Sequence, residues 1–199
     1  MQASTKIAFK EWAVVVEALG GGEQILILRK GGIHEQRGQF HVAHRQFWLF
    51  PTRFHEAETS VIPSKRPALR EIARRAGSDT VEIQFFAEVT DVHHLTNLDQ
   101  VRRLQGQHIW AEQVLQQRFA FGREPGLHAL VVRVSGLPAP VRQPLRESYE
   151  GCKSWVELEA PPSTDALIPV LDELAFQEQR AQIAERFSAH ALAHLQTTE

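Results

Sequence analysis

The chain predicts an α+β domain: a mostly antiparallel, barrel-like sheet with flanking helices and a C-terminal amphipathic helix. Three observations predict it. Val81–Val89 alternates Val81, Ile83, Phe85, Ala87 and Val89 with Glu82, Gln84, Phe86 and Glu88, the period of a strand with one buried face. Gln24–Gly32 (Q-I-L-I-L-R-K-G-G) and Phe47–Glu56 (F-W-L-F-P-T-R-F-H-E) are apolar runs that stop abruptly at polar side chains. Between the strand patterns lie short helical ones, opened by Pro or Asn and closed by Gly.

Taken in order, Ala13–Leu19 is predicted as a strand, because three successive valines disfavour helix. The competing reading is a helix from Lys6 to Ala18, with Phe9, Trp12, Ala13 and Val16 at helical spacing. Gly20-Gly21-Gly22 then turns a hairpin into Ile25–Leu28. Residues 33–46 carry three histidines and form a loop or short ribbon. Phe47–Phe50 is a buried strand closed by Pro51. Pro67–Ala76 is a helix with Leu69, Ile72, Ala73 and Ala76 on its apolar face and Arg66, Arg70 and Arg74 on another. Asn97 caps a helix carrying Leu98, Val101 and Leu104, and a second helix runs past Trp110 to Phe119. Leu127–Val134 is a strand, the Pro-rich Leu137–Pro144 crosses the surface, and Ser154–Glu159 is a last short strand. From Pro169 to Leu195 runs the C-terminal helix. The expected organisation is one α+β domain over 1–160 and a helical extension over 161–199 packed on it.

With 199 residues and 43% hydrophobic content, the chain is long enough for one well-buried core. No apolar run reaches the roughly 20 residues of a membrane helix, and the N-terminus lacks a signal-peptide pattern. A lone cysteine, Cys152, excludes an internal disulfide and a Cys-based zinc cage, so a reducing, cytoplasmic setting is expected. Net charge is −2 but unevenly spread: residues 1–75 hold 12 Lys+Arg against 7 Asp+Glu, and residues 76–199 hold 10 against 17. Such sorting marks either a face for an anionic partner or ordinary solvated surface.

The candidate chemistry lies beside the two abrupt runs. Arg29, Lys30, Arg45 and Arg53, with the Arg66/Arg70/Arg74 stripe, would neutralise phosphates, and Trp48, Trp155 or Phe54 would stack on bases. His55 stands at the same edge. Core packing is the competing reading of Trp48. Imidazoles with carboxylates make a second, metal-binding constellation from His34, Glu35, His55 and Glu56, with His41 and His44 nearby. His190 and His194 share a helix face but lack the glutamate of an H-E-x-x-H site. Cys152 beside Lys153 is a nucleophile only with a histidine from elsewhere, and no G-x-S-x-G elbow surrounds Ser154.

Two resemblances follow from these residues. Residues 68–77, A-L-R-E-I-A-R-R-A-G, resemble the Nudix helix, but Arg74 and Arg75 stand where its magnesium-binding glutamates belong. Two cations there would repel the metal, which leaves a degenerate Nudix-like fold rather than Nudix catalysis. K-E-W-A-V-V-V-E-A-L at 10–19, I-L-I-L-R-K-G-G-I at 25–33, F-W-L-F-P-T-R-F-H at 47–55, H-I-W at 108–110 and Y-E-G-C-K-S-W-V-E-L at 149–158 resemble the bacterial domain-of-unknown-function family numbered 1802. The resemblance spans residues 6–160 and implies no reaction, cofactor or catalytic residue. It implies an association with restriction–modification or other DNA transactions. The strand-rich order is also similar to PUA-type nucleic-acid-binding domains, a fold analogy.

The leading expectation is therefore a nucleic-acid-associated binding or accessory domain. Its rivals are a metal-dependent hydrolase or nuclease, a divergent Nudix-like nucleotide hydrolase, and a subunit whose Leu171/Leu174/Ile183/Phe187 stripe packs on a protein partner.

Overall fold

A computed structural model describes residues 5–30, 33–36, 39–53, 57–74, 79–151 and 153–193. In chain order its elements are β1 (Ile7–Trp12), α1 (Ala13–Gly20), β2 (Leu26–Arg29), β3 (Ile33–Gln36), β4 (Gln39–Val42), β5 (Gln46–Thr52) and α2 (Arg66–Arg74). There follow β6 (Thr80–Leu95), α3 (Leu98–Arg103), α4 (Glu112–Ala120), β7 (Leu127–Pro144), β8 (Trp155–Glu157), β9 (Ile168–Pro169) and α5 (Glu173–Ala193).

The sheet runs β2-β7-β6-β5-β1-β8, with β9 added to β7, and β3-β4 forms a separate hairpin. β1 lies parallel to β5, Ala8 opposite Trp48 and Trp12 opposite Thr52, while the remaining pairs are antiparallel. The α+β class is as expected. The sheet, however, is mixed rather than uniformly antiparallel, and it curls without closing into a barrel.

Three local expectations are corrected. Ala13–Leu19 is helix, not strand, because Ala13, Val14, Val15, Val16, Ala18 and Leu19 are all buried against the sheet. Burial of that kind outweighs the few tenths of a kcal/mol per residue by which valine disfavours helix. The strand is the preceding Ile7–Trp12, so the helical reading from Lys6 was right only in its second half. Pro51 does not close β5; it pairs within it, opposite Glu11. Leu137–Pro144 likewise continues β7, with Val141 opposite Ile83 and Arg142 opposite Glu82.

Each face of the sheet carries a core. Phe9, Phe47, Leu49, Ala87, Val89, Leu130 and Val132 belong to the larger one, under α1, α3, α4 and α5. Ala8, Trp48, Phe50, Val81, Ile83, Tyr149, Val156 and Leu158 form the smaller. The alternating strand β6 serves both. A bulge between Ile83 and Phe85 shifts its register, so Val81 and Ile83 face one core and Ala87 and Val89 the other. In α2, Leu69 and Ile72 are buried, but Ala73 is exposed. Asn97 caps α3 in a full capping box with Gln100, as its sequence predicts.

α5 docks on the larger core through Phe176 and Ile183. Arg180 clamps Asp91 of β6 with two hydrogen bonds of 2.7 and 2.8 Å, and Phe187 stacks on His93 at 4.2 Å. The stripe expected to meet a protein partner thus packs on its own domain, except Leu174, which is 71% exposed. Among the described residues no helix is long and apolar enough to cross a membrane.

Two expected outcomes follow from the packing. A Cβ on Gly20 would lie 2.2 Å from the Phe85 ring, so Gly20→Ala should lower stability by about 2 kcal/mol in urea denaturation despite alanine's better helix propensity. Adding Phe85→Leu should recover much of that loss. Burial holds the His108 imidazole down to about 4, outweighing the pull of the nearby His108 and Trp110 carbonyls. Between pH 6.5 and 4 the unfolded chain binds a proton here that the folded chain does not, so this group's stabilisation is complete above 6.5 and shrinks as pH falls. The loss should approach about 3 kcal/mol, and denaturation of His108→Leu at pH 7 and 4.5 should show a correspondingly shallower dependence.

Candidate functional site

The ends of the two abrupt runs meet on one residue, Glu11 of β1. It is 2% exposed. Its Oε1 accepts from the Trp12 amide at 2.9 Å, and its Oε2 lies 3.4 Å from Arg29 Nη1 at the end of β2. Its carbonyl accepts from the Thr52 hydroxyl at the end of β5, at 3.0 Å. Arg29 also donates to the Lys10 carbonyl at 2.8 Å and to Ser154 Oγ at 3.0 Å, and its guanidinium lies 4.6 Å over the Phe9 ring. One side chain therefore spans from the β2 edge of the sheet to β1 and to the start of β8 at the other edge.

The next residue, Lys30, turns to α4. Its ammonium donates to the carbonyls of Phe119 and Gly126 at 3.2 and 3.0 Å, and to that of Glu124. These carbonyls lie at the helix C-terminus and in its following turn, where a cation is favoured; that of Phe119 also accepts from the Gly126 amide at 3.0 Å. In the last turn of the same helix stands Arg118. Its guanidinium lies 3.8 Å over the Trp110 ring and 5.6 Å from the centre of Trp12, and the two indoles meet edge-on at 4.9 Å. Burial pushes the Arg118 pKa down, the Glu11 charge pulls it up, and the Arg29 charge pushes it down again. The Arg118 guanidinium makes no hydrogen bond or ion pair among the described residues, while its backbone carbonyl accepts from the Phe121 amide at 3.3 Å. The cluster sets three cations, Arg29, Lys30 and Arg118, against one buried carboxylate.

The remaining sequence candidates disperse. Trp48 is fully buried on the other sheet face, its indole donating to the Thr5 carbonyl at 3.2 Å and its ring edge-on to Phe86. No face of it is open to a base. Trp155 is half-buried among Phe9, Phe47 and His44. Arg45 is exposed at the start of β5, and Arg53 is half-buried beside Glu17 and Glu82 in a shallow cavity of about 160 Å³. In the stripe, Arg70 pairs with Glu58 at 3.2 Å and Arg74 with Glu71 at 2.8 Å, both at the surface. His34 and Glu35 lie on the β3–β4 hairpin, with His34 opposite His41 in register. Phe54, His55, Glu56, Cys152 and His194 lie outside the described residues. Among the described residues no three His, Cys, Asp or Glu side chains group as metal ligands.

Glu11 and Arg118 were missed in the sequence. Glu11 had a signal: a single acid between Phe9 and Trp12 in an apolar run. Arg118 had none, since only the fold sets it on Trp110.

Compared with known proteins, the chain matches the family described as Domain of unknown function (DUF1802) over residues 8–182. That reaches into α5, beyond residue 160. No curated protein matches. Among solved structures, the chain is similar to the ASCH protein of Zymomonas mobilis, at 13% identity and a TM-score of 0.39 over 88% of this chain and 93% of that one. A single-substitution variant of that protein gives 14% and 0.43 over 88% and 96%. These likenesses are too loose to bear on the site.

Removing Arg29 would strand a buried carboxylate. Arg29→Met should therefore cost about 3 kcal/mol in chemical denaturation, and adding Glu11→Gln, which keeps the acceptor for the Trp12 amide, should restore most of it. Equal losses in the single and double variants would show that the ion pair carries no weight.

Proposed function

The chain belongs to the DUF1802 family, and we propose that it binds nucleic acid through its phosphodiester backbone at the Arg29–Arg118 cluster. The observation that carries this reading is Arg118. A half-buried guanidinium resting on two tryptophans, beside a second guanidinium and with no carboxylate of its own among the described residues, is a fork of donors suited to phosphate. Arg29 and Lys30, both engaged within the protein, hold the site together and supply field rather than direct contacts. Exposed Arg45 and half-buried Arg53, just beyond the two ends of β5, add to the positive field that attracts a phosphate backbone. In this reading the domain is an accessory binder, in DNA transactions such as restriction–modification or on RNA, and the polymer is distinguished by experiment.

The test is fluorescence anisotropy of labelled single-stranded DNA and RNA over a salt series, with tryptophan emission as a second signal. Affinity should fall steeply with salt. Arg118→Gln should weaken binding about ten-fold on every sequence tested, with an unchanged denaturation midpoint. Binding that ignores salt, or that Arg118→Gln leaves intact, overturns the reading.

A further inference from the structure

A second site lies between α3 and α4. A cavity of about 260 Å³ is lined by Ile62, Leu98, Val101, His108, Trp110 and Leu115, with polar side chains at its rim. His108 is 7% exposed, and neither ring nitrogen makes a hydrogen bond of good geometry. A buried polar group left in that state is destabilising, so the arrangement asks for a partner that can enter. The charges at the rim are already spent: Arg102 pairs with Asp99 at 3.1 Å and Glu112 at 3.3 Å, and Gln116 donates to Glu112 at 2.8 Å. An ionic ligand would find apolar walls and no free counter-charge among them. A neutral imidazole offers one donor and one acceptor. As to size, a cavity of about 150 Å³ accommodates benzene, so this one has room for two fused rings.

We propose that the α3–α4 cavity binds a flat, uncharged, two-ring nitrogen heterocycle, packed against Trp110 and hydrogen-bonded to His108. The inference does not depend on the nucleic-acid reading, because it concerns a different cavity and a ligand without phosphate.

The test is an NMR titration of the full chain with adenine and, as an apolar isostere, indole. Adenine should give saturable shifts of the His108 and Trp110 ring signals and bind more tightly than indole. His108→Phe, which keeps a ring but removes both nitrogens, should weaken adenine about ten-fold and leave indole binding intact. Leu98→Trp, which fills the cavity from its half-buried rim, should abolish both and decides the matter if His108→Phe does not fold. Arg118→Gln should leave adenine binding unchanged, separating this site from the phosphate cluster. No saturable shift with adenine, equal affinity for indole in the unsubstituted protein, or full adenine binding by Leu98→Trp overturns the proposal.

Discussion

The arrangement depends on Arg29. A curled sheet that stops short of closure leaves two edges facing one another, each with unpaired backbone groups. Here a single guanidinium crosses the gap, taking the Lys10 carbonyl, the Glu11 carboxylate and the Ser154 hydroxyl together. Glu11 is 2% exposed, and a carboxylate buried to that degree is costly without a partner. The ion pair is long, at 3.4 Å, so the bond to the Lys10 carbonyl and the contact with Phe9 matter as much as the charge. Successive strand residues point to opposite sides. Arg29 therefore ties the sheet edges while Lys30, immediately after it, ties the end of α4. That second tie sets Arg118 over Trp110.

Much of the fold was legible where local pattern and tertiary environment agree. The alternation in β6, the apolar runs of β2 and β5, and the Asn97 cap all appear at or near their expected places. The failures share a cause. Val14, Val15 and Val16 disfavour helix in isolation, yet buried on every side they lose nothing by it. Pro138 and Pro140 do lie at the surface, as expected, but in a stretch that belongs to β7. The bulge after Ile83 could not be seen at all: the apolar alternation of β6 reads straight through it, and only the two cores show that the strand changes faces.

The candidate site was legible by place and not by role. The two runs end near one another, because both ends bond to Glu11. But a count of cations treats every Lys and Arg as available, and the fold engages most of them. Arg29 and Lys30 bind backbone carbonyls, and Arg70 and Arg74 pair with acids. Trp48 was chosen for its ring and is buried for the same apolar surface. What a sequence cannot show is which cation is left over once these partners are assigned.

Trp110 joins the two sites without making them one. Its indole is 2% exposed, carries Arg118 on its ring and lines the α3–α4 cavity with the rest of its surface. Trp12, edge-on at 4.9 Å, fixes its tilt, and an isolated bridge pairs its backbone with Val61. A change at Trp110 therefore disturbs both places through packing, whatever either one binds. Arg118 does not line the cavity, and His108 takes no part in the cation cluster. A side chain that touches one site only can be altered with a local effect, which makes the guanidinium and the imidazole, rather than the tryptophan between them, the groups at which the two proposals separate.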